Sequence, residues 1–114
     1  MLTYSPLRPV LHRPPVLQYV ESISRQVFHI NSADEHGNTL LIVACQNGHQ
    51  NIVNLLIRKG ANPDHQNRAG CTALHYAMEY NFYELGAWLA DPSKGGASDD
   101  ILNKAGLGPY DGLG

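Results

Sequence analysis

The stretch HGNTLLIVACQNGHQNIVNLLIRKGANPD, residues 36–64, decides how the rest of the chain is read. Residues 39–45 are almost wholly apolar and would suit either a buried strand or a short buried helix. Thr39 is a good helix N-cap, because its hydroxyl can take one of the backbone N–H groups that a first turn leaves unpaired. Leu40 to Asn47 then makes about two turns. Gly48 is a natural C-terminal cap, since glycine enters the left-handed region without strain. A second helix follows, with Ile52, Val53, Leu55, Leu56 and Ile57 expected to face inward and Gly60 to close it. No hairpin signal follows Gly48, so a strand there would lack a partner. The unit is therefore a turn, a short helix, a tight turn, a longer helix and a polar connector.

The unit recurs. Gly37, Thr39, Leu41 and Ala44 return as Gly70, Thr72, Leu74 and Ala77, each 33 residues later. Ile52, Leu55 and Leu56 return as Leu85, Trp88 and Leu89 at the same offset. A fixed period of this size marks a solenoid, in which each unit buries its faces on its neighbours. Leu41, Leu55, Leu56, Leu74, Leu85, Trp88 and Leu89 are the expected core, and Ala44 and Ala77 keep paired helices close. The second copy departs from the first in three places. Pro92, Ser93 and Lys94 fall in an insertion that aligns Gly60 with Gly96. Asn81-Phe82 stands for Gly48-His49. Gly86 stands for Val53, which predicts a weaker second helix pair.

The segments DEHGNTLLIVACQNGHQNIVNLLIRKGANPD and NRAGCTALHYAMEYNFYELGAWLADPSKGGASDD resemble ankyrin repeats. The second carries TALH, close to that family's T-P-L-H; the first has TLLI but keeps NGH and LLIRKGANPD. The resemblance implies a mostly α solenoid of stacked helix-turn-helix units joined by extended connectors. It divides the chain into a proline-rich tail (1–14), a partial unit (15–33), two full units (34–66 and 67–102) and a partial unit (103–112). Pro14-Pro15 suits a helix start, and Val16, Tyr19, Val20, Ile23 and Val27 form one apolar stripe after it. In the family the histidine of TALH bonds within and between repeats, so His75 is expected to be structural. Ile42 holds that place in the first unit and loses the polar tie. Two full units and two halves are few for a solenoid, and the chain stops where a further first helix is due. It is expected to be part of a longer frame.

Composition bounds the chemistry. Net charge is −2 over 114 residues, too weak a field to point to nucleic acid. No apolar run nears the roughly 20 residues of a membrane helix. The first twenty residues lack the continuous apolar segment of a secretory signal. Pro6, Pro9, Pro14 and Pro15 oppose the amphipathic helix of an organelle transit peptide. Cys45 and Cys71 are the only cysteines, too few for a disulfide framework. Both read as reduced thiols of a cytoplasmic, or nuclear, protein. Cys45 is expected to be packed and inert, and Cys71, in a turn, to be exposed and the more reactive. His36, His49 and His65 lack zinc-ligand spacing. KGGAS and KAGLG lack the pattern of a phosphate loop. Asp99-Asp100 lacks the surrounding ligands of a calcium loop. No enzyme constellation, cofactor or metal is expected.

The resemblance implies protein binding, by a monomer, through the connector tips and the concave face of the first helices. By position those are Glu35, His36, Asn38, Gln46 and Asn47 in the first unit, with Gln66 at the connector's end. In the second they are Arg68, Ala69, Cys71, Glu79 and Tyr80, and Tyr80 is the expected anchor. An adaptor or scaffold module fits this reading. A regulatory segment of a larger enzyme or channel is the alternative. In the family's A-D-x-N connector Asp64 fills the asparagine place and Asn31 keeps it, so Asn31 is a conceivable hydroxylation target.

Overall fold

A computed structural model of the chain describes residues 29–111. The proline-rich tail and the expected helix after Pro15 lie outside the described residues. Within them are α1 (Leu40–Gln46), α2 (Gln50–Arg58), α3 (Ala73–Glu79) and α4 (Tyr83–Ala90). α1 and α2 form one helical hairpin, α3 and α4 the next, and the hairpins stack through α1 against α3. Among the described residues there is no strand beyond an isolated bridge between Ala33 and Thr39.

Local chemistry explains each boundary. Thr39 is extended (φ −87°, ψ 170°), and its side chain accepts the Ile42 N–H. Thr72 repeats this at α3 by accepting the His75 N–H. Asn47 caps the end of α1, and Gly48 turns the chain with φ +72°. Asn81 makes the equivalent turn in the second hairpin with φ +68°. Asparagine is among the few residues with a side chain that visit this region at modest cost. Gly48 has a further reason to be glycine: a Cβ there would come within 2.7 Å of the Phe82 ring. The residue that replaces His49 in the second unit thus lies on the turn of the first.

α1 is buried along its whole length, because α2 and α3 cover it. Leu41, Leu56, Leu74, Leu85 and Leu89 are core, as their period predicts. Leu55 is not: it is 46% exposed, and α2 buries only Val53 and Leu56. An outer-layer helix meets its neighbours along one narrow stripe, and Leu55 stands on its shoulder. Trp88, at the same repeat position, is only half-buried.

The deficit expected at Gly86 is filled from the facing helix. A Cβ at Gly86 would fall on the Met78 sulfur. Cys45 and Val53 hold these two positions in the first hairpin, a small residue facing a branched one. The second hairpin sets a long flexible residue against none. The insertion is absorbed with equal economy. Ala61 N–H bonds to Leu56 O at 3.0 Å, and Ala97 N–H closes on Leu89 O at 2.8 Å despite the extra residues. The loop between is tied by Asp91, whose side chain accepts Ser93 N–H and Oγ–H at 2.9 and 2.8 Å.

Two outcomes follow in urea unfolding. Leu74→Ala lowers stability by about 2–5 kcal/mol, whereas Leu55→Ala lowers it by well under that amount. Gly86→Val overpacks by about 1–3 kcal/mol. Combining it with Met78→Cys restores the first hairpin's pairing, so the two changes couple favourably by about 0.5–3 kcal/mol.

Candidate interaction surface

The connectors end in one turn made three times. Asp34 Oδ1 accepts the N–H groups of His36 and Asn38, both at 2.9 Å. Asn67 Oδ1 accepts those of Ala69 and Cys71 at 3.0 Å. Asn103 Oδ1 accepts those of Ala105 and Leu107 at 2.9 and 3.0 Å. In each turn the glycine three residues on donates to the backbone carbonyl of the same Asp or Asn, at 2.9 Å every time. These glycines, 37, 70 and 106, all have φ near +80°. Gly37 and Gly70 also let the next turn approach, since a Cβ would meet Arg68 N at 2.9 Å and Lys104 N at 2.7 Å. Those same N–H groups tie the turns together, Arg68 to His36 O at 3.1 Å and Lys104 to Ala69 O at 3.0 Å.

Side chains lock the row from behind. Asn67 Nδ2 donates to Asn38 Oδ1 at 2.9 Å and to the Tyr76 hydroxyl at 2.7 Å. Burial pushes the Tyr76 hydroxyl pKa up, and the incoming Asn67 N–H works against that shift. His75 is structural, as its place in TALH implies. Its Nδ1 accepts the Thr72 N–H at 3.1 Å, which fixes the tautomer and leaves Nε2 to donate to Leu107 O at 3.0 Å in the following turn. Ile42 is buried and makes no such side-chain bond. The asparagine place of the connector is also a fastening. Asn31 Oδ1 accepts the Asn62 N–H at 2.7 Å, and Asp64 accepts Ser98 N–H at 2.8 Å and its hydroxyl at 3.2 Å.

The expected contact residues separate into groups. Glu35, His36, Arg68 and Ala69 are exposed at the turn tips. Glu35 and His36 approach to 3.6 Å with both side chains largely in water, where such a pair is worth little. Asn38 is half-buried and faces Asn67. Gln66 is exposed, but its amide donates to Gly70 O at 2.9 Å and Leu102 O at 3.1 Å. Asn47 is half-buried and donates to Val43 O at 2.8 Å. Glu79 is exposed, and Tyr80 is half-buried and stacked on Tyr76 with ring centroids 6.2 Å apart.

Two residues leave the exposed set. Gln46 is buried at 5% exposure, because every position of α1 is covered. Cys71 is buried at 8%, contrary to the exposure expected of a turn residue, because the next turn lies on it and Asn103 Nδ2 sits 3.6 Å from its sulfur. Cys45 is enclosed completely, and burial pushes its thiol far above the ordinary range, so it is no nucleophile. Sequence reasoning passed over Lys104 and Ala105, which continue the exposed tips. It also passed over the Asp34, Asn67 and Asn103 set that builds them. Its signal was present: an Asp or Asn three residues before each repeated glycine.

Among the described residues no three His, Cys, Asp or Glu side chains are placed to hold a metal, and no helix is long and apolar enough to cross a membrane. A stacked array of helical hairpins with projecting turns defines a helical repeat protein. The chain belongs to the ankyrin-repeat family: the sequence model described as ankyrin repeats in three copies matches residues 16–101. A putative ankyrin repeat protein, L92, of Acanthamoeba polyphaga mimivirus is 38% identical over 79 residues, covering 68% of this chain and 18% of its own length. The human transient receptor potential cation channel subfamily A member 1 is 33% identical over 55 residues, 48% of this chain and 5% of the channel. Human M-phase phosphoprotein 8 is 36% identical over 59 residues, 52% of this chain and 7% of that protein. The chain thus spans less than a fifth of the length of each of these relatives.

The Asn67 amide joins two turns and a helix, so Asn67→Ala leaves two turn N–H groups and the Tyr76 hydroxyl without their partner. Stability falls by about 1–3 kcal/mol, and amide exchange at Ala69 and Cys71 accelerates more than at Ala105 and Leu107, measured by NMR.

Proposed function

We propose that the chain is a protein-binding module of adaptor or scaffold type, working in the cytoplasm or nucleus. Ankyrin repeats are protein-interaction modules, generally without catalysis of their own. One observation carries the finer reading. The tips Glu35, His36, Arg68, Ala69, Lys104 and Ala105 are exposed on turns whose backbone donors are already satisfied from within. A surface ordered before binding loses little conformational freedom on docking. Tyr80, half-buried and stacked on Tyr76, supplies the aromatic anchor. The partner is a protein contacted along this row of tips and the adjoining ends of α1 and α3.

A second reading takes the array as one segment of a larger enzyme or channel. It is favoured by the small share of its relatives that the chain spans, one of them a cation channel. In that case the same tips contact another part of the larger protein.

A photo-crosslinking side chain placed at Glu35, Arg68 or Lys104 is expected to capture one and the same protein, while placement at Arg58 or Glu84 on the outer helices captures none. Tyr80→Ala weakens binding of that protein about tenfold, the effect of a modest hot spot. Capture with equal yield from the outer helices, or none from the tips, sinks the reading. Capture within the same polypeptide of a longer native protein selects the second.

A further inference from the structure

The three turn tips are equivalent positions that carry unequal charge. Glu35, Arg68 and Lys104 each follow directly on the turn-forming Asp34, Asn67 and Asn103, and all three are exposed. The turn itself does not need a charge at its first place. The amide oxygens of Asn67 and Asn103 hold their two N–H groups at 2.9 to 3.0 Å, as the Asp34 carboxylate does at 2.9 Å. The first turn nevertheless keeps a carboxylate there. With histidine counted neutral, Asp34 and Glu35 give the first turn two negative charges, while Arg68 and Lys104 give the second and third one positive charge each.

These charges are not spent within the array. Among the described residues Arg68 and Lys104 enter no ion pair, and Glu35 meets only His36, at 3.6 Å. The backbone beneath them is fixed, because Arg68 N–H is bonded to His36 O and Lys104 N–H to Ala69 O. The carboxylates nearest the third turn lie off its tip. Asp99 and Asp100 precede Asn103 in the connector, where Asp99 takes the Tyr110 hydroxyl, and Asp111 accepts the Gly108 N–H at 2.7 Å. The tips thus read negative, positive, positive. Packed helices stand about 8–10 Å apart, and α1 against α3 sets that step for the first two turns. This is close to the Debye length in physiological salt, so tips of opposite sign quench each other little.

We infer that the row takes an extended protein segment bearing one basic and two acidic side chains, three residues apart, with the basic one over the first turn and the acidic ones over the second and third. This rests on the reading of the tips as the contact surface. The spacing follows from polyproline-type geometry, in which every third side chain returns to the same face after about 9 Å. Such a segment needs no backbone ladder with the array, and the turns offer none, since their donors are already taken. A polyanion such as nucleic acid would suit Arg68 and Lys104 but is repelled by Asp34 and Glu35.

The test titrates the full chain, followed by NMR, with two end-blocked synthetic peptides of identical composition, KPPEPPE and EPPKPPE. The first matches all three tips in one direction; the second sets like charges together at two of the three in either direction. Expected is about fivefold tighter binding of KPPEPPE, with amide shifts centred on Ala69 and Ala105 and a preference that shrinks in high salt. The combined replacement Asp34→Asn, Glu35→Lys and Arg68→Glu turns the row to positive, negative, positive. It keeps the fold, because Asp34→Asn copies the other two turns and the other changes are on exposed side chains. This variant is expected to prefer EPPKPPE by a similar factor. Equal binding of the two peptides, or of neither, overturns the inference, as does tighter binding of a single-stranded oligonucleotide of the same length. Shifts at the tips without an order preference remove the polarity and leave the contact surface standing; shifts confined to the outer helices remove both.

Discussion

Every unit depends on the side-chain oxygen at positions 34, 67 and 103. A connector that doubles back over a helix exposes backbone donors with no ladder to receive them, and a buried donor without a partner is costly. One Asp or Asn oxygen takes two of these donors, and the glycine three residues on supplies the left-handed bend. The remaining donor at each tip is then free to reach the carbonyl of the turn before it, as Arg68 and Lys104 do. Local closure and inter-unit cohesion come from the same few atoms. The helices inherit their spacing from this row, because Thr39 and Thr72 begin them immediately after each turn.

The two hairpins reach similar packing by different routes. The first fills its interior with Val53 and leaves Cys45 small. The second removes the side chain at Gly86 and lets Met78 extend into the space. Interiors are close-packed, so the loss of a branched residue on one helix must be met by volume from its neighbour. An unbranched thioether with several rotatable bonds is well suited to that role. The unequal layers also explain exposure. α1 lies between two helices and buries all its residues, while α2 offers the core only Val53 and Leu56 and sends Leu55 to the surface.

The row of tips is held from within the array. The tips are polar, individually small in area and fixed by bonds within their own turns. They suit recognition, where preorganisation limits the entropy lost on docking. His75 ties that row to the helices, since its ring is bonded to the cap of α3 on one side and to the Leu107 turn on the other.

Much of this was legible in the sequence. The 33-residue recurrence of glycine, threonine, leucine and alanine determined the helix order, the caps and the repeat family, because each of those residues acts on its immediate neighbours or along one helix face. The structural place of His75 came from the resemblance of TALH to the family's motif, and its bond to Leu107 spans 32 residues. Burial was not legible where it depends on what lies opposite. Cys71 is covered by a turn that begins 32 residues later at Asn103, and Gln46, a polar residue at the end of α1, is buried as well. Leu55 and Leu56 are adjacent in sequence and equally apolar, yet only one meets the core. The exchange of Cys45 and Val53 for Met78 and Gly86 could be read as two separate departures, but only the tertiary structure showed that they face each other. Caps and turns obey short-range geometry, which a sequence records directly. Burial and volume belong to pairs of distant residues, and the fold alone decides which residues become pairs.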